Sequence, residues 1–371
     1  MSFNLPRIAI FLATSGHSGV DRIMKNLIHG LAAAQVPVDL LRIKGHGPHL
    51  PELPPGARSV RLGVSHVQGA LPALTKYLKS ERPFAILSDK DRVNRTAILA
   101  RAISRSQTKI AVRIGTTVSE NLRRRDPMDR LVQRLSMRLL YPRADAILVP
   151  SSGAAEDLSR FARIPRDRIT VVKSPILTPD FEQLAGEPVG HPLFAEDRPV
   201  VLGAGELCSR KDFATLMRAF AILLKSTPAR LIILGEGRKR PALEALAIEL
   251  GIKDAVSMPG FVPNPYPFMK KASLFVLSST CEGMPVVLVE AMAAGCPVVA
   301  TDCPSGPREV LAGGKYGALV PVGDPEALAV AMRRTLEAPP KAHILAEAAA
   351  HYCVEEGVRT YLAALGYPAH V

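Results

Sequence analysis

A chain of 371 residues, 47% of them apolar, is too long for one hydrophobic core and too apolar for a disordered protein, and it suits two domains of roughly 180 residues each. The formal charge of +13 is uneven: residues 1–185 hold 29 Lys and Arg against 15 Asp and Glu, whereas residues 186–371 hold 18 against 19. The first half is therefore expected to meet something anionic, such as a lipid surface, a phosphorylated substrate or nucleic acid.

The chain opens with an apolar run, Pro6 to Ala13, followed by TSGHSG, the helix-like DRIMKNLIHGLAAAQ and a second apolar run, VPVDLLRI. Strand, glycine loop, helix and strand make one βαβ unit. The first run follows a single Arg7 and is too short for a signal-peptide core, and no apolar run reaches the roughly 20 residues of a membrane-spanning helix, so a cytoplasmic protein is expected. Asp89-Lys-Asp91 is a D-x-D, which in some enzymes holds a metal on a diphosphate. Within ILSDKDRVNRTAILARA it reads more simply as a strand end and a helix start with acids near the helix N-terminus.

The segment 121–143, NLRRRDPMDRLVQRLSMRLLYPR, carries seven arginines against two aspartates. After Pro127, Arg130, Arg134 and Arg138 fall at helical spacing beside Leu131, Leu135 and Leu139. A basic stripe adjoining an apolar one suits a helix lying on anionic lipid. The alternative is a surface helix whose leucines enter the core and whose arginines are solvated. Nucleic acid is disfavoured, because no aromatic residues interleave with the arginines.

The stretch 174–194, SPILTPDFEQLAGEPVGHPLF, is rich in Pro and Gly and marks the domain boundary, giving a first domain over 1–178, a linker over 179–194 and a second domain over 195–354. The second domain restarts the pattern with PVVLGAGEL, DFATLMRAFAILLKS and ARLIILGEG. The expected fold class is α/β, two Rossmann-like doubly wound domains with a cleft between them. The helix-like C-terminal end, about 355–371, suits either domain. The five cysteines form no C-x-x-C pair and no metal spacing with histidine, which fits a reducing compartment and no zinc site.

The stretch Cys281 to Pro297, CEGMPVVLVEAMAAGCP, is the most informative. Pro285 suits the first position of a helix and Gly295 with Pro297 its end. Its first turn then offers backbone N–H groups to an anion, with Gly283 leaving room for one. Glu290, alone among apolar neighbours from Val286 to Ala294, needs a partner: either a buried arginine, or the neutral hydroxyls of a ribose diol beside a diphosphate.

From Val200 to Leu328 the chain carries, in order, VVLGAGELCSRKDFATLMRAF, LIILGEG, the long run from SMPGFVPNPYPFM through CEGMPVVLVEAM to CPSGPREVL, and YGALVPVGDPEAL. This ordered set resembles the nucleotide-binding half of glycosyltransferase family 4, whose members are retaining, metal-independent GT-B enzymes with two glutamates eight residues apart. The resemblance implies that Glu290 binds ribose hydroxyls, that Glu282 holds a hydroxyl of the transferred sugar, and that the backbone of Gly283, Met284, Pro285 and Val286 faces the sugar and diphosphate. It implies that Lys211 grips the diphosphate, that Phe261 and Val262 cradle the base, and that Gly16 and Gly19 of the first half approach the diphosphate. Where the family usually has Arg, this chain has Glu206, so either Arg210 supplies the cation, or Glu206 turns away, or donor binding is weakened. The family often has an active-site His in the region of VRIGTTVSEN, where Gly115 and Thr116 stand.

The implied function is transfer of a sugar from a nucleotide-sugar, a UDP-sugar by preference, to an anionic lipid-linked or polysaccharide acceptor, with no cofactor and no metal. Glu282 and Lys211 are the implied catalytic residues. A GT-B sugar-nucleotide epimerase and a catalytically weak sugar-nucleotide binder are the alternatives.

Overall fold

The computed structural model describes residues 5–14, 19–50, 52–123 and 125–368. The chain divides into two units, one of residues 1–176 with 352–371, the other of residues 177–351.

In the first unit, strands β1 (Ile8–Phe11), β2 (Val38–Arg42), β3 (Ala57–Arg61), β4 (Ala85–Asp89), β5 (Lys109–Arg113), β6 (Ala146–Val149) and β7 (Ile169–Val171) form a parallel sheet in the order β3-β2-β1-β4-β5-β6-β7. β1, IAIF, is buried along its whole length, as expected of a strand covered on both faces by crossover helices. The edge strand β3, ARSVR, is largely polar and partly exposed, which discourages pairing with another chain.

In the second unit, β8 (Val200–Ala204), β9 (Arg230–Leu234), β10 (Val256–Gly260), β11 (Leu274–Leu277), β12 (Val298–Thr301) and β13 (Ala318–Val320) form a second parallel sheet, ordered β10-β9-β8-β11-β12-β13. Both sheets are doubly wound. The order reverses between β1 and β4 in one and between β8 and β11 in the other. At such a reversal the loops leaving the carboxyl ends of the two strands diverge, which opens a crevice for ligands.

The residues 179–194 expected as a linker belong to the second unit. They contain a short helix, Phe181–Ala185, and the Asn264 side chain donates to Leu184 O at 2.9 Å and to the Glu187 carboxylate at 2.8 Å. The Pro and Gly there break long helices without loosening the chain. The last helix, Val354–Leu365, packs against the helix Gly19–Ala33 of the first unit, where a side chain on Gly30 would collide with Val354 at 2.4 Å.

Arg113, at the end of β5 and 1% exposed, ties this last helix to the sheet. Its Nη1 donates to Asp89 Oδ2 at 3.0 Å and its Nε to the Tyr361 hydroxyl at 2.7 Å. Asp91 pairs instead with Arg95 at 2.9 Å on the helix Asp91–Ser104. The two acids of the D-x-D thus serve different arginines, which supports reading that motif as a strand end and a helix start.

The arginine-rich segment forms the helix Pro127–Leu140, started by Asp126, whose side chain accepts from Met128 N at 2.8 Å, and by Pro127 in the first turn. The leucines of the stripe do not enter the core: Leu131, Leu135 and Leu139 are exposed, while Met137 is buried and Leu140, at the helix end, is half-buried against the core.

Asp89→Ala leaves the Arg113 guanidinium buried without its counter-charge and should cost about 3 kcal/mol. Tyr361→Phe, which removes one hydrogen bond, should cost about 1 kcal/mol. Urea unfolding followed by circular dichroism measures both, and equal costs would contradict this account of the ion pair.

Candidate active site

Two loops meet at the reversal of the second sheet. After β8 the chain runs through Gly205 to Lys211 and enters the helix Phe213–Leu223, which begins where the Asp212 side chain accepts from Thr215 N at 3.4 Å and from Thr215 Oγ1 at 2.7 Å. After β11 it runs through Ser278 to Pro285 and enters the helix Val286–Ala293. Thr280 N donates to Arg210 O at 2.8 Å and Ser278 Oγ to Lys211 O at 2.8 Å, so the second loop holds the backbone of the first. Thr301 Oγ1, at the end of β12, donates to Ser279 O at 2.6 Å. The glycines permit this closeness: a Cβ on Gly235 would lie 2.0 Å from Gly205 O, and one on Gly205 would lie 2.9 Å from Lys211 Cε.

Lys211, Arg210 and Glu282 form one cluster. Glu282 Oε1 accepts from Lys211 Nζ at 2.7 Å, Arg210 Nη1 at 2.9 Å and Ser279 Oγ at 2.7 Å. Lys211 and Glu282 are buried, while the Arg210 side chain is 40% exposed. Burial by itself would raise the Glu282 carboxyl, but the charges of Lys211 and Arg210 outweigh it and hold the group below the usual glutamate range. The cluster carries one net positive charge, part of it open to solvent on Arg210.

Pro285 occupies the position just before the helix rather than its first turn, with φ −80° and ψ 80°. Gly283, Met284 and Pro285 are buried in the approach to the helix, and Val286 begins it. Ser305 Oγ donates to Gly283 O at 3.3 Å, and Gly306, at φ +90°, leaves the space into which Pro285 packs. Inside the helix Glu290 is wholly buried, and the Tyr266 hydroxyl donates to its Oε1 at 3.3 Å. Tyr266 opens the helix Tyr266–Lys271, which follows the loop carrying Phe261, exposed, and Val262, half-buried.

Glu206 is exposed, and Arg210 bonds the same Glu282 carboxylate oxygen as Lys211. In the first unit Gly19 opens the helix Gly19–Ala33, Gly115 and Thr116 follow β5, and Gly16 lies outside the described residues. Sequence reasoning did not find Ser279 or Tyr266. Ser279 stood three residues before Glu282 as one of many serines, and the direction of Tyr266 depends on the proline-rich turn before it. Among the described residues no group of three or more His, Cys, Asp and Glu is arranged to hold a metal ion. Burial pushes the Cys303 thiol, behind this loop, up to about 12, too high for a nucleophile at neutral pH.

The comparisons agree with this division. Residues 18–174 match the family model of the Glycosyl transferase 4-like domain, and residues 190–352 match that of Glycosyl transferases group 1. Both units are glycosyltransferase domains. A relative from Campylobacter jejuni, N-acetylgalactosamine-N,N'-diacetylbacillosaminyl-diphospho-undecaprenol 4-alpha-N-acetylgalactosaminyltransferase, is 34% identical over 67% of this chain and 65% of its own length. The lipopolysaccharide core biosynthesis glycosyltransferase LpsE of Rhizobium meliloti is 36% identical over 37% of this chain and 39% of its own. The chain thus spans about two thirds of the first relative and well under half of the second. The structure of Anabaena HepE in complex with UDP superposes with a TM-score of 0.75 at 18% identity, covering 97% of this chain and 99% of that one. At that identity the likeness establishes the GT-B fold of two Rossmann-like domains.

Glu282→Gln, which leaves two cations facing a neutral amide, should destabilise the second unit by about 3 kcal/mol at neutral pH. A lowered folded pKa stabilises fully above the unfolded value and is lost as pH falls through the folded one. The stability difference between the two proteins should therefore be constant down to about the ordinary glutamate value of 4.5 and shrink below it, as followed by thermal unfolding across pH.

Proposed function

We propose that this protein is a retaining, metal-independent glycosyltransferase that moves a sugar from a UDP-sugar to an anionic, lipid-linked acceptor. The observation that carries the reading is the cluster of Lys211, Arg210 and Glu282 at the reversal of the second sheet, beside a helix that buries Glu290. A nucleoside diphosphate laid along this loop would set its phosphates on Lys211, Arg210 and the backbone around Gly283, and its ribose diol on Glu290. Phe261 and Val262 lie in the loop that leads to Tyr266 and would flank the base.

In the transfer, the bond from the anomeric carbon to the diphosphate oxygen breaks and a bond from the acceptor oxygen forms on the same face of the sugar. The acceptor proton passes to the departing phosphate. Negative charge grows on the diphosphate as it leaves, and Lys211 and Arg210 stabilise it, doing with fixed side chains what a divalent cation does elsewhere. Glu282 positions both cations and holds a hydroxyl of the moving sugar. Without it, two like charges a few ångströms apart would repel each other and splay.

The donor class draws support from the Anabaena structure solved with UDP, and the acceptor class from the Campylobacter relative, whose name specifies a diphospho-undecaprenol substrate. The positive charge of residues 1–185 favours an acceptor of that chemistry, taken up by the first unit. We place the enzyme at the inner face of a cytoplasmic membrane as a peripheral protein, with Arg130, Arg134 and Arg138 toward the lipid. The relatives, which are named as glycosyltransferases, favour transfer over epimerisation of the donor.

Glu290→Gln keeps the volume of the side chain and removes its charge. It should weaken UDP binding about tenfold or more in titration calorimetry. Lys211→Ala should reduce transfer from a UDP-sugar far more than it weakens UDP binding, because the charge it answers is greatest in the transition state. Unchanged UDP affinity in the Glu290 variant would remove the ribose role.

A further inference from the structure

A third loop borders the candidate active site. β11 lies between β8 and β12 in the second sheet, so the loop after β11, which carries Glu282 and Gly283, has the Lys211 loop on one flank and the loop after β12 on the other. This third loop runs from Asp302 to the short helix Pro307–Val310. Asp302 N donates to Val320 O at 2.7 Å, and the Asp302 carboxylate accepts from Arg308 Nε at 3.1 Å, so the two ends of the turn are tied to each other.

Ser305, within the turn, has φ +71°. A residue with a Cβ is disfavoured there, and such a conformation persists where the surroundings hold it. Elsewhere in the chain Arg82, Arg105 and Arg163 reach positive φ at the C-terminal ends of helices, a routine place for it. Ser305 ends no helix. Its hydroxyl donates to Gly283 O at 3.3 Å, and Gly306 beside it packs so closely that a Cβ there would lie 2.6 Å from Pro285 Cδ.

A trans peptide points its C=O and its N–H in opposite directions. With the Gly283 carbonyl turned to Ser305 on the β12 side, the Met284 N–H of the same peptide is turned to the β8 side, where Lys211 and Arg210 stand. Met284 is buried, and among the described residues its N–H has no hydrogen-bond partner. A buried N–H without a partner is rare in a folded protein, and one turned toward two cations suits an oxygen of a ligand. We propose that Ser305 is a positioning residue of the donor site: its hydroxyl holds the Gly283 carbonyl and thereby keeps the Met284 N–H directed at an oxygen of the nucleotide-sugar, on the diphosphate or on the sugar. The inference rests on the donor site proposed above and deepens it. It adds the loop after β12 to a site otherwise drawn from the loops after β8 and β11. Ser305 then has two separable properties, its hydrogen bond and its φ.

Labelling the ten methionines with heavy nitrogen gives a small set of amide signals in nuclear magnetic resonance, and the Met284 signal is identified by its absence in Met284→Leu. UDP or UDP-glucose should move the Met284 amide proton downfield. A shift with UDP alone puts the accepting oxygen on the diphosphate, and a shift that needs UDP-glucose puts it on the sugar. Ser305→Ala should abolish most of the shift and weaken the ligand that causes it about tenfold in titration calorimetry. Ser305→Gly relieves the backbone but also lacks the hydroxyl, so it should lose as much as Ser305→Ala while unfolding at no lower temperature than that variant. Ser305→Asn, which tolerates positive φ and donates through its amide, should recover most of both shift and affinity. Parental shift and affinity in Ser305→Ala or Ser305→Gly would overturn the role of the hydrogen bond, as would a Met284 signal that ignores a ligand bound by calorimetry. Those results leave the donor site standing. If neither UDP nor UDP-glucose binds, the donor site falls and this inference with it.

Discussion

The second unit depends on one electrostatic arrangement: a single buried carboxylate, Glu282, holding a lysine and an arginine that would otherwise repel each other. A buried Lys211 with no counter-charge would lose its proton or leave the site, and either would empty the loop of its cation. With Glu282 in place both cations stay charged and fixed. Ser279 completes the set, and the backbone bonds from Thr280 and Ser278 keep the two loops at the separation the ion pairs need. The same loops sit where the strand order reverses, so the fold supplies the opening and the ion cluster gives it a preference for anions.

Burial of charge recurs in the first unit with a different consequence. Arg113 sits inside the sheet with Asp89 and the Tyr361 hydroxyl, and this joins the last helix of the chain to strands laid down some 250 residues earlier. The two clusters differ in exposure. Arg113 is sealed and satisfied, which makes it structural. Arg210 is partly open to solvent, which leaves it able to meet a ligand.

Much of this was readable from one dimension. The strands β1 and β8 were legible as short apolar runs because both their faces are covered, and the doubling of strand, glycine loop and helix announced two sheets. Glu290 stood out because a charge inside an apolar run needs a reason, whereas Lys211 and Glu282 were singled out by the family resemblance of the ordered set from Val200 to Leu328. Other features were not legible. The stretch 179–194 looked like a linker because Pro and Gly punctuate folded turns as readily as loose ones, and distant contacts, those of Asn264 with Leu184 and Glu187, of Phe181 with Tyr266 and of His191 with Ser257, make it part of a domain. Arginine and leucine at helical spacing read equally well with the leucines inside or outside. The choice fell to the side of the helix that Met137 occupies.

The sequence by itself determined what is local: the periods of strand and helix, the caps at Asp126 and Asp212, and the count and sign of charge in each half. These follow from backbone sterics and from hydrophobic spacing within a dozen residues. Only the tertiary structure decided which distant groups share a charge. Lys211 and Glu282 lie 71 residues apart, and Tyr266 and Glu290 lie 24 apart. No local rule fixes such pairings, because they depend on the order in which parallel strands assemble and on the low-dielectric interior that makes each buried charge seek one partner.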